Sequence, residues 1–463
     1  MLRHKLIATL GGGLLLLSSS TLAATLDSLQ KDIDELNDRV DANELAATLN
    51  KVKFGLEFTT ALNNIQSKAE GTTENYKNRW AMGLYLNMNA DVNRYTKFTG
   101  RLSMTKAFGD IDLGYPAVGT IGSLDAGRGI AGGSAIYVER AYVDIYMGKY
   151  TALTIGRLPG TDGPGSNLRN SSARMSTYPA LAVNALGDGT VLTLKPYTNA
   201  ALRAGYSKIY QPLNPNSSSS AGGNIWGNKG ASDANLFFGA FETPFAPKSF
   251  GQNLLMLTYI NLQNYATPDI KTGQTSSTTS STNTTNAVIP AQNIGDMQYV
   301  NLHIENDKML GTGLNWFVSA SYYKGSNGKS SKLAETIAKA QNTQNTPNAD
   351  TPYVKFANEN AWAVHAGLRY DIGSAFKIGY EYFKGSQYWY AFSRVSINDP
   401  FNFRNTRGDV HDVYAIWQLD LNQFFRLSYT RQHFDYNTAA MPMPTPKADI
   451  TNQNIALAYL LRF

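Results

Sequence analysis

The stretch RWAMGLYLNMNADV, residues 79–92, alternates two kinds of side chain. Trp80, Met82, Leu84, Leu86, Met88 and Val92 share one parity; Arg79, Tyr85, Asn87, Asn89 and Asp91 share the other. Successive side chains of a strand point to opposite faces, so the segment reads as a β-strand with one apolar face. It is longer than the roughly 9–11 residues a tilted strand needs to cross a bilayer. VKFGLEFTTAL (52–62) repeats the pattern with Val52, Phe54, Leu56 and Phe58. NQNIALAYLLRF (452–463) repeats it with Ile455, Leu457, Tyr459, Leu461 and Phe463.

Outward from these segments, the same period recurs near 95–108, 135–147, 150–158, 190–196, 200–210, 233–243, 252–264, 296–305, 312–324, 360–371, 374–385, 410–421 and 423–435. With the first three, that makes sixteen strands. The connections at 93–94, 148–149, 197–199, 244–251, 306–311, 372–373 and 422 are short. Those at 63–78, 109–134, 159–189, 211–232, 265–295, 325–359, 386–409 and 436–450 are long. Short turns on one side and long loops on the other are the layout of bacterial outer-membrane barrels, the short ones periplasmic. The expected fold is all-β: a transmembrane antiparallel barrel of about 16 strands within a range of 14–18. The aromatic run YWYAF (388–392) offers an extra hairpin. A barrel in lipid leaves no strand edge unpaired, so the last strand should pair with the first.

Composition agrees. Charged residues are 16% of the chain, against about 25% in soluble domains. There are 27 Tyr, 40 Gly and no Cys, which excludes a disulfide-stapled scaffold. No apolar run reaches the roughly 20 residues of a spanning helix. Arg3 and Lys5, the apolar run Leu6–Leu17 and the small residues through Ala24 have the three-part layout of a secretory signal peptide. The domain reading is therefore 1–24 signal peptide, 25–50 helix and 51–463 barrel. The host would be a Gram-negative bacterium, with the helix in the periplasm.

Residues 26–43 carry a heptad. Leu26, Leu29, Ile33, Leu36 and Val40 step by 3 and 4, giving a short coiled-coil seam through which copies of the chain could associate. An amphipathic helix lying against the rest of the protein is the other reading. Charge divides unevenly: of the formal +6, residues 25–50 hold −5 and residues 51–463 hold +9.

Alternation puts Arg79, Lys97, Arg101, Arg140, Arg203, Arg369, Lys377 and Arg426 on the lumenal side. Asp91, Asp144, Glu305, Glu381 and Asp412 share it. A polar lumen of mixed charge describes a water-filled pore, and rings of Arg and Lys favour anions. The same charges could instead be salt bridges that hold the barrel's shape. The segment 155–194 concentrates Arg157, Asp162, Arg169, Arg174 and Asp188 among closely spaced Gly and Pro, with turn chemistry in TDGPG (161–165). It reads as a stiff constriction loop folded into the lumen, or as an external cap held by its own turns. Ser/Thr/Asn-rich runs at 214–224 and 272–286 read as solvated external loops.

His411 beside Asp412 hints at general-base chemistry, but adjacent strand residues face opposite ways. No nucleophile motif or metal spacing accompanies them. The reading is of a non-enzyme with no cofactor, no metal and no nucleic-acid partner. A plug-bearing receptor is disfavoured, because residues 25–50 are too few for a plug.

VERAYVDIY (138–146), TIGRLPGTDGP (154–164) with LRN (168–170), STYPALAVNALGDGTVLTL (176–194) and DPFNFRNTRGDVHDVYAIWQL (399–419) resemble a family of uncharacterised proteobacterial outer-membrane proteins. Those proteins are described as candidate porins with a short coiled coil before the barrel. The resemblance implies an outer-membrane channel with no established substrate. The alternation ending in Phe463 is similar to the C-terminal insertion signal of outer-membrane proteins, read by the barrel insertion machinery. The functional expectation is a passive diffusion pore for small hydrophilic solutes in contact with outer-membrane lipid. A substrate-specific uptake porin, for siderophores or another small ligand, and a tethering barrel are the alternatives.

Overall fold

The structure is a computed structural model and describes residues 31, 33–38, 40, 52–108, 136–197, 199–210, 232–266, 270–273, 286–289, 293–328, 358–393, 395–437 and 444–463. The chain divides into two units, 1–53 and 54–463. In the first, residues 31, 33–38 and 40 are helical, and Ile33, Leu36 and Val40 of the expected seam are exposed. The signal-peptide segment and seam residues Leu26 and Leu29 lie outside the described residues.

The strands are β1 (Val52–Ala69), β2 (Thr72–Asn93), β3 (Thr96–Ala107), β4 (Tyr137–Tyr146), β5 (Thr151–Arg157), β6 (Val183–Asn184), β7 (Asp188–Tyr197), β8 (Ala200–Tyr210), β9 (Ala234–Thr243), β10 (Gln252–Ala266), β11 (Ile270–Gly273), β12 (Asn286–Ile289), β13 (Asn293–Asp307), β14 (Leu314–Ser326), β15 (Asn360–Ile372), β16 (Phe376–Gly385), β17 (Phe392–Ser393), β18 (Gly408–Gln418), β19 (Gln423–Tyr436) and β20 (Lys447–Arg462). Sixteen of them close into one antiparallel barrel, each neighbouring the next in sequence once β6, β11, β12 and β17 are set aside. All sixteen coincide with the segments read from alternation. The run 388–392 adds no barrel hairpin: β17 begins inside it and pairs only with β6.

Closure is made by β1 and β20, in register from Glu57 opposite Arg462 to Lys68 opposite Thr451. The Leu56 and Phe463 backbones exchange both hydrogen bonds, at 2.6 and 2.9 Å. Among the described residues, exposure alternates along the barrel strands and tells the two faces apart. On β20, Ile455 and Leu457 are exposed, while Asn454, Ala456, Ala458 and Leu460 are buried. On β18, Val413 and Trp417 are exposed, whereas Val410, Asp412, Tyr414 and Ile416 are buried. Leu62, Leu457 and Leu427 lie side by side across three strands of the outer face. A closed ring with an apolar outer face is a membrane-spanning barrel of the outer-membrane kind.

Two expectations change. The connection 63–78 is not a loop: β1 and β2 run on to a turn at Glu70 and Gly71, with Gly71 at φ +73°. Sequence alternation fades there because both faces of this extension are polar, as strand beyond the hydrocarbon can be. The lumen, moreover, is not uniformly polar. Ala61, Ala81, Ile397, Tyr414, Ile416, Phe424, Ala458 and Leu460 form a buried apolar cluster within it. Inward positions can be apolar wherever other protein, rather than water, packs against them.

Placing a charge on the outer face tests the membrane assignment. Leu457→Arg should cost about 2–4 kcal/mol if this position meets the bilayer midplane, read by urea unfolding in lipid vesicles. A change well under 1 kcal/mol would place Leu457 away from hydrocarbon.

Candidate functional site: a lumen braced by two inward loops

The loop between β5 and β7 begins with turn chemistry. Asp162 sits at φ +58°, and its N–H donates to Asn184 Oδ1 at 3.0 Å. A Cβ on Gly163 would collide with the Tyr178 carbonyl, so only glycine fits there. Met175 N–H donates to the Asp162 carbonyl at 2.9 Å and Ala180 N–H to that of Pro164 at 2.8 Å. One helical turn, Asn167–Asn170, lies at its far reach. The segment is thus held by its own turns, yet it is an inward loop: Leu168, Ala180, Leu181 and Ala182 are at most 2% exposed.

It crosses the barrel. On one side, Arg140 of β4 donates to the Thr161 and Met175 carbonyls, at 2.9 and 2.5 Å. On the other, Arg369 of β15 donates to the Leu168 carbonyl at 2.8 Å. β4 and β15 stand eight strands apart in a ring of sixteen, so these contacts span the diameter. Arg426 of β19 donates to the Arg169 carbonyl at 3.0 Å, and Arg462 of β20 to those of Asn170 and Ser171 at 3.2 and 3.3 Å. A helical turn leaves its last carbonyls without backbone partners, and here lumenal arginines supply them. Lys377 of β16 reaches Ser171 Oγ at 2.7 Å. In return, Arg169 forms a buried ion pair with Asp412 of β18 at 2.7 Å, and Arg174 pairs with Glu305 of β13.

The loop between β16 and β18 enters the lumen as well. Trp389, Tyr390, Ala391 and Phe403 are at most 2% exposed. Trp389 donates its indole N–H to the Arg404 carbonyl at 2.8 Å, and Arg407 donates to the Trp389 carbonyl at 2.9 Å. β17 and β6 make a two-residue parallel ladder that joins the loops. Arg404 donates to the Gly165 carbonyl at 3.2 Å, and Arg426 to Asn398 Oδ1 at 3.1 Å. Burial pushes the Asp399 carboxyl up, while Arg404 and Arg169 nearby oppose that rise. Burial likewise pulls Arg404 down, against the pull of Asp399 and Glu381.

Arg140, Arg369, Lys377 and Arg426 therefore grip the first loop. Arg101 is buried between Glu57 and Glu139 at 3.4 and 3.2 Å, 4.2 Å from the Tyr85 ring. Arg203 pairs with Glu242 at 2.8 Å. Lys97 is half-buried, in register with Asp91 and Asp144. Arg79 is exposed, its guanidinium 5.6 Å from the Tyr76 ring. Arg157 makes two hydrogen bonds to Asp188, at 2.8 and 3.0 Å, closing the base of the first loop. Of the loop charges, Asp162, Arg169 and Arg174 lie within the lumenal segment itself.

Sequence reasoning missed Glu57, Glu139, Asn398, Asp399, Arg404 and Arg407. The signal for the last four lies in 386–409, a long connection whose aromatic run offers a hairpin by sequence and packs into the lumen instead. Its aromatic run YWYAF differs from the Ser/Thr/Asn runs of solvated loops, and such rings demand burial.

The histidines take two arrangements. His303 contacts Glu305 at 3.0 Å and His365 contacts Glu381 at 3.1 Å, all four buried. Phe317 packs between the two imidazoles. His411, by contrast, is hydrogen-bonded to Tyr380 at 2.7 Å, and its side chain is 42% exposed, whereas that of Asp412 is 1% exposed. The neighbours face opposite ways. Among the described residues, no three His, Asp or Glu side chains are grouped to hold a metal.

No curated protein sequence matches the chain. Among solved structures, OprB of Pseudomonas putida at high pH is similar at 9% identity and a TM-score of 0.48, covering 90% of this chain and 96% of that one. OmpT, an outer membrane protein of Vibrio cholerae folded in vitro, is similar at 12% identity and a TM-score of 0.41, covering 88% and 98%. The model of the family described as "Protein of unknown function (DUF3373)" matches residues 73–459, from β2 into β20, and the chain belongs to that family.

Proposed function

We propose that the protein is a porin-type channel, and not an enzyme, which passes small solutes across the outer membrane through a lumen narrowed by its two inward loops. One observation carries this reading: the 158–187 loop spans the barrel's diameter on buried hydrogen bonds and ion pairs. An external cap would not need such partners inside the ring. A brace of this kind favours selective passage over the wide, water-filled pore expected from strand count alone. The arginines around the braced region favour anions weakly, because most already meet a carboxylate or carbonyl. The helical residues 33–38 and 40 would lie in the periplasm, where the exposed Ile33, Leu36 and Val40 would pair with a second copy.

Planar-bilayer recording tests the channel. Wild type should give small steps, with a reversal potential slightly on the anion side in asymmetric salt. A cation-side value would remove the charge assignment. Arg169→Gln leaves Asp412 buried without its ion pair, which should cost about 3–5 kcal/mol and raise single-channel conductance severalfold as the loop loosens. The pair Arg169→Met with Asp412→Leu should recover much of that stability. Unchanged conductance in Arg169→Gln would mean that the loop lies off the ion path.

Self-association has a separate readout. Leu36→Asp should shift detergent-solubilised protein from a larger to a smaller species in light scattering. An unaltered mass would discard the seam.

A further inference from the structure

Where the two loops meet the wall formed by β8, β9 and β10, they leave a cavity of about 200 Å³. Tyr178 and Val183 face it from the first loop, Phe392 from the second, and Leu236, Phe238 and Ile260 from the wall. The Tyr178 and Phe238 rings meet edge to face, with centroids 5.0 Å apart. No lining residue is charged. The buried ion pairs of the first loop, Arg169 with Asp412 and Arg174 with Glu305, lie elsewhere in the lumen.

A second observation points to a ligand. Thr258 lines the same cavity from β10 and is 2% exposed, yet its Oγ1 has no hydrogen-bond partner. Buried hydroxyls are normally satisfied, and a χ1 rotation that exchanges the Thr258 hydroxyl and methyl would offer this one to a polar atom in the cavity. The other lining hydroxyl of this kind, Ser207, already donates to the Asp188 carbonyl at 2.9 Å. A single water would satisfy Thr258 but would leave most of an apolar cavity of this size unfilled. An engineered apolar cavity of about 150 Å³ stays dry and takes up benzene. A one-ring molecule is therefore the right size here, and its polar group should be uncharged, since the lining offers hydroxyls, those of Tyr265 and Tyr390 3.5 Å apart, and no charge.

We propose that this cavity is a binding site for a small neutral aromatic molecule bearing one hydrogen-bonding group, the ring held among Tyr178, Phe238 and Phe392 and the polar atom by Thr258. The proposal goes beyond the channel reading and does not depend on it, because binding can be measured without conduction. Leu186 and Gly187, both half-buried, line the cavity beside the base of the first loop.

Isothermal titration of the full-length, detergent-solubilised protein with phenol, toluene, benzoate and glucose tests it. Phenol should bind saturably, toluene about five- to tenfold more weakly for want of one hydrogen bond, and benzoate and glucose not measurably. Thr258→Val keeps the shape and removes the hydroxyl, so it should abolish the preference for phenol over toluene while leaving toluene binding intact. Ala185→Trp should fill the cavity and abolish binding of both. Failure of wild type to bind phenol, equal binding of benzoate, or an undiminished phenol preference in Thr258→Val would each overturn the proposal. A conductance result of either sign would not affect it.

Discussion

The structure depends on one constraint: in hydrocarbon, a backbone N–H or C=O has no water to turn to, so its partner must come from the protein. Each unsatisfied group would cost several kcal/mol, so a spanning sheet must close. The exchange between Leu56 and Phe463 and the twelve-pair register of β1 with β20 meet that requirement. Closure then fixes the rest. With sixteen strands the ring encloses more space than its own inward side chains fill, so something else must occupy or hydrate the lumen. Here two of the long connections turn inward and pack there.

Bringing loops inside creates a second requirement. Their backbone carbonyls and charges leave water and must be matched. Arginine suits this task, because its planar fork donates several hydrogen bonds from one side chain and does not lose its charge at ordinary pH. Arg426 alone reaches the Arg169 carbonyl, Asn170 and Asn398. Lysine serves at the edge of the group, where Lys377 meets Ser171 and Gln418. Basic side chains that alternate along strands can thus read as a pore lining in sequence and act as brackets in the fold. The distinction lies in what faces them, which strand periodicity does not encode.

That difference explains how much was legible beforehand. All sixteen barrel strands follow from period-2 alternation, because lipid on one side imposes a strict apolar parity. The 63–78 hairpin extension was lost where that parity lapses. The inward course of 155–194 was suggested by TDGPG and its density of charge, but its partners were not, since Asp412 lies 243 residues from Arg169. Nothing local to either residue records a contact across the barrel. The second loop left a trace in Trp389 and Tyr390, large rings in a segment otherwise resembling an external connection. The buried apolar cluster around Tyr414 and Ile416 was hidden for another reason. On β18 the lumenal Tyr414 and Ile416 are as apolar as the outward Val413 and Trp417, so residue type alone does not tell its two faces apart there.

Apolar packing of the loops runs from β9 to β18, but the charged contacts of the first loop are not spread evenly around the ring. Ion pairs and arginine–carbonyl bonds tie the first loop to β4 and to strands from β13 round to β20. Toward β8, β9 and β10 the loop meets Leu236, Phe238 and Ile260 instead, and there the packing opens into the uncharged cavity. Directional bonds with buried charge resist displacement, since breaking one strands its partner without water. Apolar contact is non-directional and scales with area, so its rearrangement strands no partner. The brace is therefore stiff where charges hold it and adaptable on the side of β8–β10. A neutral ring entering there would meet the face of the lumen that can repack around it without breaking an ion pair.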